Sequence, residues 1–163
     1  FYALFFEDTV LDTFTFSNDG AAAHGKRLGD WIVQKMGGEG QPWSDSGRFG
    51  LRQPSHHRAW YSDKRHKRLQ GRKFKLDDVR IWMRLMFWAC RQCGLDQHKP
   101  FFKWYKKFIA HFITVYEGSA GKYAEEEAAW SEDPRNVQKY VDQGRIMLDL
   151  LDKDNARVFT KNR

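Results

Sequence analysis

The stretch Asp77-Asp78-Val79-Arg80-Ile81-Trp82-Met83-Arg84-Leu85-Met86-Phe87-Trp88-Ala89-Cys90-Arg91-Gln92-Cys93-Gly94 decides the fold class. Val79, Trp82, Met83, Met86, Phe87 and Cys90 recur at i, i+3, i+4, i+7, i+8 and i+11, which is the period of a helix with an apolar face. Asp77 and Asp78 open the run and Gly94 ends it.

Working outward from that helix, the same period returns on both sides. Downstream, Pro100 opens a helix whose stripe is Phe101, Tyr105, Phe108, Phe112 and Val115. Two further helical pieces are expected over residues 119–131 and 134–152, the second begun by Pro134. Upstream, residues 39–76 are rich in Gly, Pro, Ser and basic side chains and show little periodicity. A short helical turn over residues 55–61 is expected there, with loop around it; loops of that length are usually functional or disordered. Before them, His24, Leu28, Trp31, Ile32 and Lys35 form one helical stripe that stops at Gly37-Gly38. The cluster Ser17-Asn18-Asp19-Gly20 reads as a turn and helix start, and residues 1–12 as a first helix with Tyr2, Phe5, Phe6 and Val10 apolar. Strand alternation is absent, so the expectation is an all-α fold of five or six helices.

Composition narrows the function classes. The chain has 163 residues with 28 Lys+Arg against 21 Asp+Glu, a net charge of +7. That length suits one domain with a proper core. Seven Trp, six Tyr and thirteen Phe argue against disorder, because burial of so many rings offsets the entropy of ordering the chain. No stretch is long and apolar enough to span a bilayer, and two cysteines three residues apart make no disulfide scaffold. The chain opens on Phe1-Tyr2, so a processed product is expected, with any targeting peptide not visible in it. The expected location is intracellular, with cytosol and organelle both open. The charge is concentrated: residues 48–75 hold ten Lys/Arg and one acid, Asp63, a local +9, so the other residues sum to −2.

Six histidines and two cysteines are the side chains with metal chemistry. His24 lies on the stripe with Leu28 and Trp31. His56 and His57 precede Arg58-Ala59-Trp60, His66 lies in the basic run, His98 in a loop and His111 in the aromatic helix. For a histidine on an apolar face the plain reading is a hydrogen-bonded core or boundary residue. Cys90-Arg-Gln-Cys93 has no second pair or neighbouring histidine to complete a zinc site, and helix packing accounts for both thiols.

The run His24-Gly-Lys-Arg-Leu28-Gly-Asp-Trp31-Ile-Val-Gln-Lys-Met-Gly37-Gly38, followed by Pro42-Trp43-Ser44, resembles the second helix and following loop of the group II truncated haemoglobins, with Trp43 where that family has tyrosine. Phe1-Tyr2 is similar to the family's Phe-Tyr pair, and Asp78-Val79-Arg80-Ile81-Trp82-Met83-Arg84 to the helix start that carries its hallmark tryptophan. The resemblance covers residues 1–117 and implies a two-over-two globin domain there, containing the basic loop and insertion at 48–75. Residues 118–163 then form a helical C-terminal extension. It also implies haem b as cofactor and O₂ or another diatomic molecule as ligand. The family follows its proximal histidine with two residues and then Phe. His57-Arg-Ala-Trp60 matches that spacing, so His57 is the expected iron ligand and His56 the alternative. Tyr2, His24, Leu28, Trp31 and Trp82 match pocket positions, with the Tyr2 hydroxyl, the Trp82 indole and the His24 ring as donors over the ligand. Arg58, and Arg52 beside it, are candidates to pair with the propionates. Ligand binding is expected before catalysis; NO dioxygenase or peroxidase-like activity is what relatives of this kind imply. His57 to Trp82 is longer than in the family, so an insertion within residues 61–75 is expected to loop out.

Two other classes compete. A haem-free globin-like subunit would dock on a larger, acidic or membrane-bound assembly through its basic loop and C-terminal extension. Alternatively, the basic segment, interleaved with Phe49, Trp60, Tyr61 and Phe74, would take an anionic partner. Within that class nucleic acid is the less expected partner, since the segment matches no known nucleic-acid motif.

Overall fold

The computed structural model describes residues 1–15 and 20–160, and every regular element among them is helical. In chain order these are α1 (Tyr2–Glu7), α2 (Ala21–Lys35), α3 (Arg52–Trp60), α4 (Leu76–Gln92), α5 (Lys99–Ile113), α6 (Ala124–Trp130), α7 (Pro134–Asp142) and α8 (Lys153–Thr160). The expected all-α class holds, and among the described residues no helix is long and apolar enough to cross a membrane. The Ser17-Asn18-Asp19 turn lies outside the described residues. The chain divides into two compact units. One comprises Phe1, Ala3–Asp12 and Lys73–Arg163, the other Tyr2 and Thr13–Arg72. Residues 117 and 118, between which the C-terminal extension was expected to begin, both fall within the first unit.

In the first unit α4 is buried nearly all round. Its apolar stripe is inside as expected, but so are Ile81, Leu85 and Arg84 on its other side. The counterpart is α6. Glu127, wholly buried, accepts hydrogen bonds from both Arg80 and Arg84. Arg84 also donates to Asp149 at 2.7 Å, and its guanidinium lies over the Trp130 ring at 4.8 Å, while that of Arg80 lies over Tyr123 at 4.1 Å. Buried charges of this kind are tolerated because each has a partner.

α5 is capped by the His98 ring, which accepts the Phe101 N–H at 3.1 Å, and buries Tyr105, Phe108, Ile109 and Ile113. Val115, expected on the same stripe, lies past the helix end and is exposed. The turn at Ala120–Tyr123 comes so close to α5 that a Cβ on Gly121 would sit 2.8 Å from Thr114 Cγ2 and 3.0 Å from the Ala110 carbonyl oxygen. Only glycine fits that approach.

The helix expected over 134–152 is shorter than its pattern. α7 stops at Asp142, because Gly144 and Arg145 both take left-handed backbone, φ 74° and φ 56°. What holds Arg145 there is the N-terminal segment. Its carbonyl accepts the Thr9 N–H at 2.9 Å, and the Gly144 carbonyl accepts the Thr9 hydroxyl at 3.0 Å. Beside them the buried Asp8 carboxylate accepts the N–H groups of Val10 and Leu11 and the Tyr140 hydroxyl. Burial pushes the Asp8 carboxyl up to about 6. The chain then resumes as α8, where Asn155 donates its side-chain amide to Asp77 at the start of α4.

The second unit carries α2, α3 and the basic segment. Neither α2 nor α3 has a fully buried residue.

Candidate functional site

α2 presents a half-buried stripe. His24, Leu28, Trp31 and Ile32 share its inner side, while Lys26 and Asp30 form an i,i+4 ion pair at 2.6 Å. The helix ends where the spacing predicts, with Gly37 at φ 74° supplying the left-handed step past its last turn. Gln34 then brackets the returning chain: its amide donates to the Ser44 hydroxyl at 2.9 Å and accepts the Ser44 N–H at 3.0 Å. That bracket sets the approach to α3, which the sequence expected only as a turn over 55–61 but which begins at Arg52.

Two contacts join the expected site residues within this unit. The rings of Tyr2 and His24 stand 5.1 Å apart, and the Arg52 guanidinium lies over the Trp31 ring at 5.1 Å, tying the first turn of α3 to the last turns of α2. Leu28 and Trp31 are half-buried.

The two adjacent imidazoles differ. His57 is exposed, its ring 5.3 Å from both Trp60 and Tyr61. His56 is half-buried, and its ring is hydrogen-bonded to the backbone of Arg52, one turn earlier. Burial, with the Arg52 charge beside it, pushes the His56 imidazole down to about 4, so it is neutral at pH 7. The spacing to Trp60 points to His57, but neighbours on a helix point about 100° apart, and packing gives the two rings different surroundings. Arg58 is exposed on the same helix. Trp82 belongs to the first unit, where it is half-buried and meets the Phe1 ring edge-on at 5.7 Å.

Two structural features escaped the sequence reading. The Gln34–Ser44 bracket joins polar residues with no motif between them. The backbone bond of His56 left no sequence signal, because every helical histidine has a carbonyl one turn behind it and only packing decides which ring reaches back to it.

Comparison of the chain with models of known families, with curated proteins and with solved structures finds no match.

Proposed function

We propose that this chain is a haem protein of the truncated, two-over-two globin type, with helices added at its C-terminal end, that takes O₂ or another diatomic ligand. The observation that carries the reading is the state of the His56 ring. Its bond to the Arg52 backbone occupies one ring nitrogen and fixes the tautomer, and the depressed basicity leaves the other nitrogen without a proton at neutral pH. A neutral imidazole oriented through a backbone bond is the form in which histidine holds a haem iron. His56 is therefore preferred as the proximal ligand over His57, whose spacing to Trp60 is the family-like one.

The donor set that the resemblance names suits the group. Haem, when bound, supplies the iron at which a diatomic ligand is held. Tyr2 and His24, already in ring contact, offer hydroxyl and imidazole donors to the partial negative charge such a ligand acquires. Leu28 and Trp31 supply an apolar wall that excludes water. Arg58 offers a guanidinium to a carboxylate at the rim.

The test is spectroscopic. The chain purified with haem, or reconstituted with it, is expected to show a Soret band. His56→Ala removes the band and His57→Ala leaves it; the reverse result transfers the ligand to His57. Tyr2→Phe speeds O₂ release by about tenfold, the rate equivalent of one hydrogen bond of about 1–2 kcal/mol. A chain that retains no haem overturns the reading and favours the docked, haem-free subunit, for which the exposed Val141 and Leu148 offer apolar surface.

A further inference from the structure

The segment expected to loop out is a closed, pinned loop. Over residues 61–72 the chain leaves α3 and comes back to it, the Gly71 N–H donating to the Trp60 carbonyl at 2.7 Å. Inside the closure lies Arg65, only 5% exposed. Its guanidinium donates to the Trp60 carbonyl at 3.0 Å and the Arg72 carbonyl at 2.9 Å, and rests over the Phe14 ring at 4.4 Å. The buried Ser62 hydroxyl donates to the Thr15 carbonyl at 2.8 Å, and the Gln70 amide donates to the carbonyls of Ser62 and Arg65. Leu69, the one aliphatic side chain of the loop, is buried. This is the construction of an Ω-loop, with close ends and its own side chains as filling.

What the loop turns outward is chemically uniform. Lys67, Arg68 and Arg72 are exposed, Arg58 is exposed on the helix that precedes them, and Asp63 is the only acid of the loop. At the foot stands Tyr61, 60% exposed. Gly71, at φ 74°, passes so close that a Cβ there would lie 3.0 Å from the Tyr61 ring, and the His57 ring is 5.3 Å away on its own helix. The ring is thus held in place while most of its surface faces water. A loop backbone and an aromatic ring held before any partner arrives lose little entropy on binding.

We propose that this loop is a binding surface for single-stranded nucleic acid, with Lys67, Arg68, Arg72 and Arg58 taking phosphates and Tyr61 stacking on a base. The combination of a basic track with a ring that any base can cover is the way single strands are held without sequence preference. A charged bilayer surface would use the cations alone, whereas a fixed, exposed ring beside them is what a stacked base requires. Apart from Arg58 the proposal uses no residue of the haem reading, and it is tested on the full chain with or without haem.

The probe is a 5′-fluorescein oligouridylate of about 15 nucleotides, read by anisotropy across a salt series. Four phosphate contacts predict a slope of log K on log salt of about −3, since single strands give about −0.7 per contact. Neutralising two cations in Lys67→Gln/Arg72→Gln flattens the slope by about 1.4. Tyr61→Ala weakens binding about tenfold with the slope unchanged, as loss of one stacked base predicts, and Tyr61→Phe restores it. Three results overturn the proposal. One is that heparin competes as well as unlabelled oligouridylate while Tyr61→Ala has no effect, which leaves a general anion surface. Another is binding to phosphatidylserine vesicles without binding to the oligonucleotide. The last is no binding at low salt to either.

Discussion

α4 and α2 differ little on paper. They have 17 and 15 residues, the same average hydrophobicity, and a stripe of large apolar side chains each. Yet α4 holds eleven buried residues and α2 none. The difference lies in what covers them. The polar side of α4 is met by Glu126, Glu127 and Asp149 and by the rings of Tyr123 and Trp130, so that Arg84 goes inside and Arg80 is half-buried. α2 keeps Lys26 in water, and on its stripe Tyr2 meets His24 and Arg52 lies over Trp31 without burying either residue fully. One helix is completed by the chain's own side chains. The other leaves the His24 imidazole and the Trp31 ring under partial cover.

The sharpest way to break that comparison is to remove its central charge. Glu127→Ala leaves Arg80 and Arg84 facing an empty place, and removal of one partner from a buried pair costs about 3–5 kcal/mol. Leu28→Ala on α2, half-buried, costs about 1 kcal/mol by the area it withdraws from water. Urea titrations of the two variants measure both. Equal losses would mean that α2 is as fully packed as α4 and that the contrast is one of surface accounting only.

Acid separates the two units in a second way, with opposite signs. The His56 imidazole stays neutral in the fold down to about pH 4, whereas in an unfolded chain it takes its proton from about 6.5 downward. Its contribution is therefore present above pH 6.5 and is lost as the pH falls toward 4, about 2 kcal/mol by pH 5. Asp8 behaves in reverse. The folded carboxyl takes its proton near pH 6 and the unfolded one near 3.8, so the stability it contributes rises as the pH falls from 7 to 5, by about 1 kcal/mol. Amide hydrogen exchange, corrected for intrinsic rates, should show α3 loosening at pH 5 while the Asp8–Tyr140 junction tightens. His56→Gln and Asp8→Asn each abolish one slope and leave the other. A common slope in both units would show that they unfold together and would remove the contrast.

The parts of the structure legible in the sequence are those set by period. α4, α5 and α2 could be read because apolar side chains at helical spacing and a Gly or Pro at the ends leave few alternatives. The burial of Arg84 and half-burial of Arg80 were not legible, since a charged side chain reads as a wet face until its acid is found 43 to 47 residues away. Nor was the end of α7, where the stop comes from the Arg145 and Gly144 carbonyls accepting hydrogen bonds from Thr9, at the other end of the chain. The basic segment was readable as charge but not as shape, because one of its ten cations, Arg65, is spent inside holding the loop closed. For the candidate site, spacing points to His57 with His56 as the alternative. What separates the two rings, burial and a backbone bond at His56, was not legible, and the choice between them as the proposed iron ligand rests on it.

The smallest effect tests that choice most directly. Arg52 has two roles in the second unit: its guanidinium covers Trp31, and its charge sits beside His56. Arg52→Leu removes both while leaving the backbone that the His56 ring bonds. Loss of the ring contact should cost only about 0.5–1 kcal/mol, as for a cation over an indole near the surface. The imidazole should respond more clearly. With the neighbouring cation gone, the His56 titration moves back up from about 4, though not to an ordinary histidine's value, because burial remains the larger cause. An NMR titration of the His56 ring in both proteins reads this directly. A shift confined to His57 would mean that Arg52 faces the exposed imidazole instead, and the preference for His56 as the inward-turned ring would fall with it.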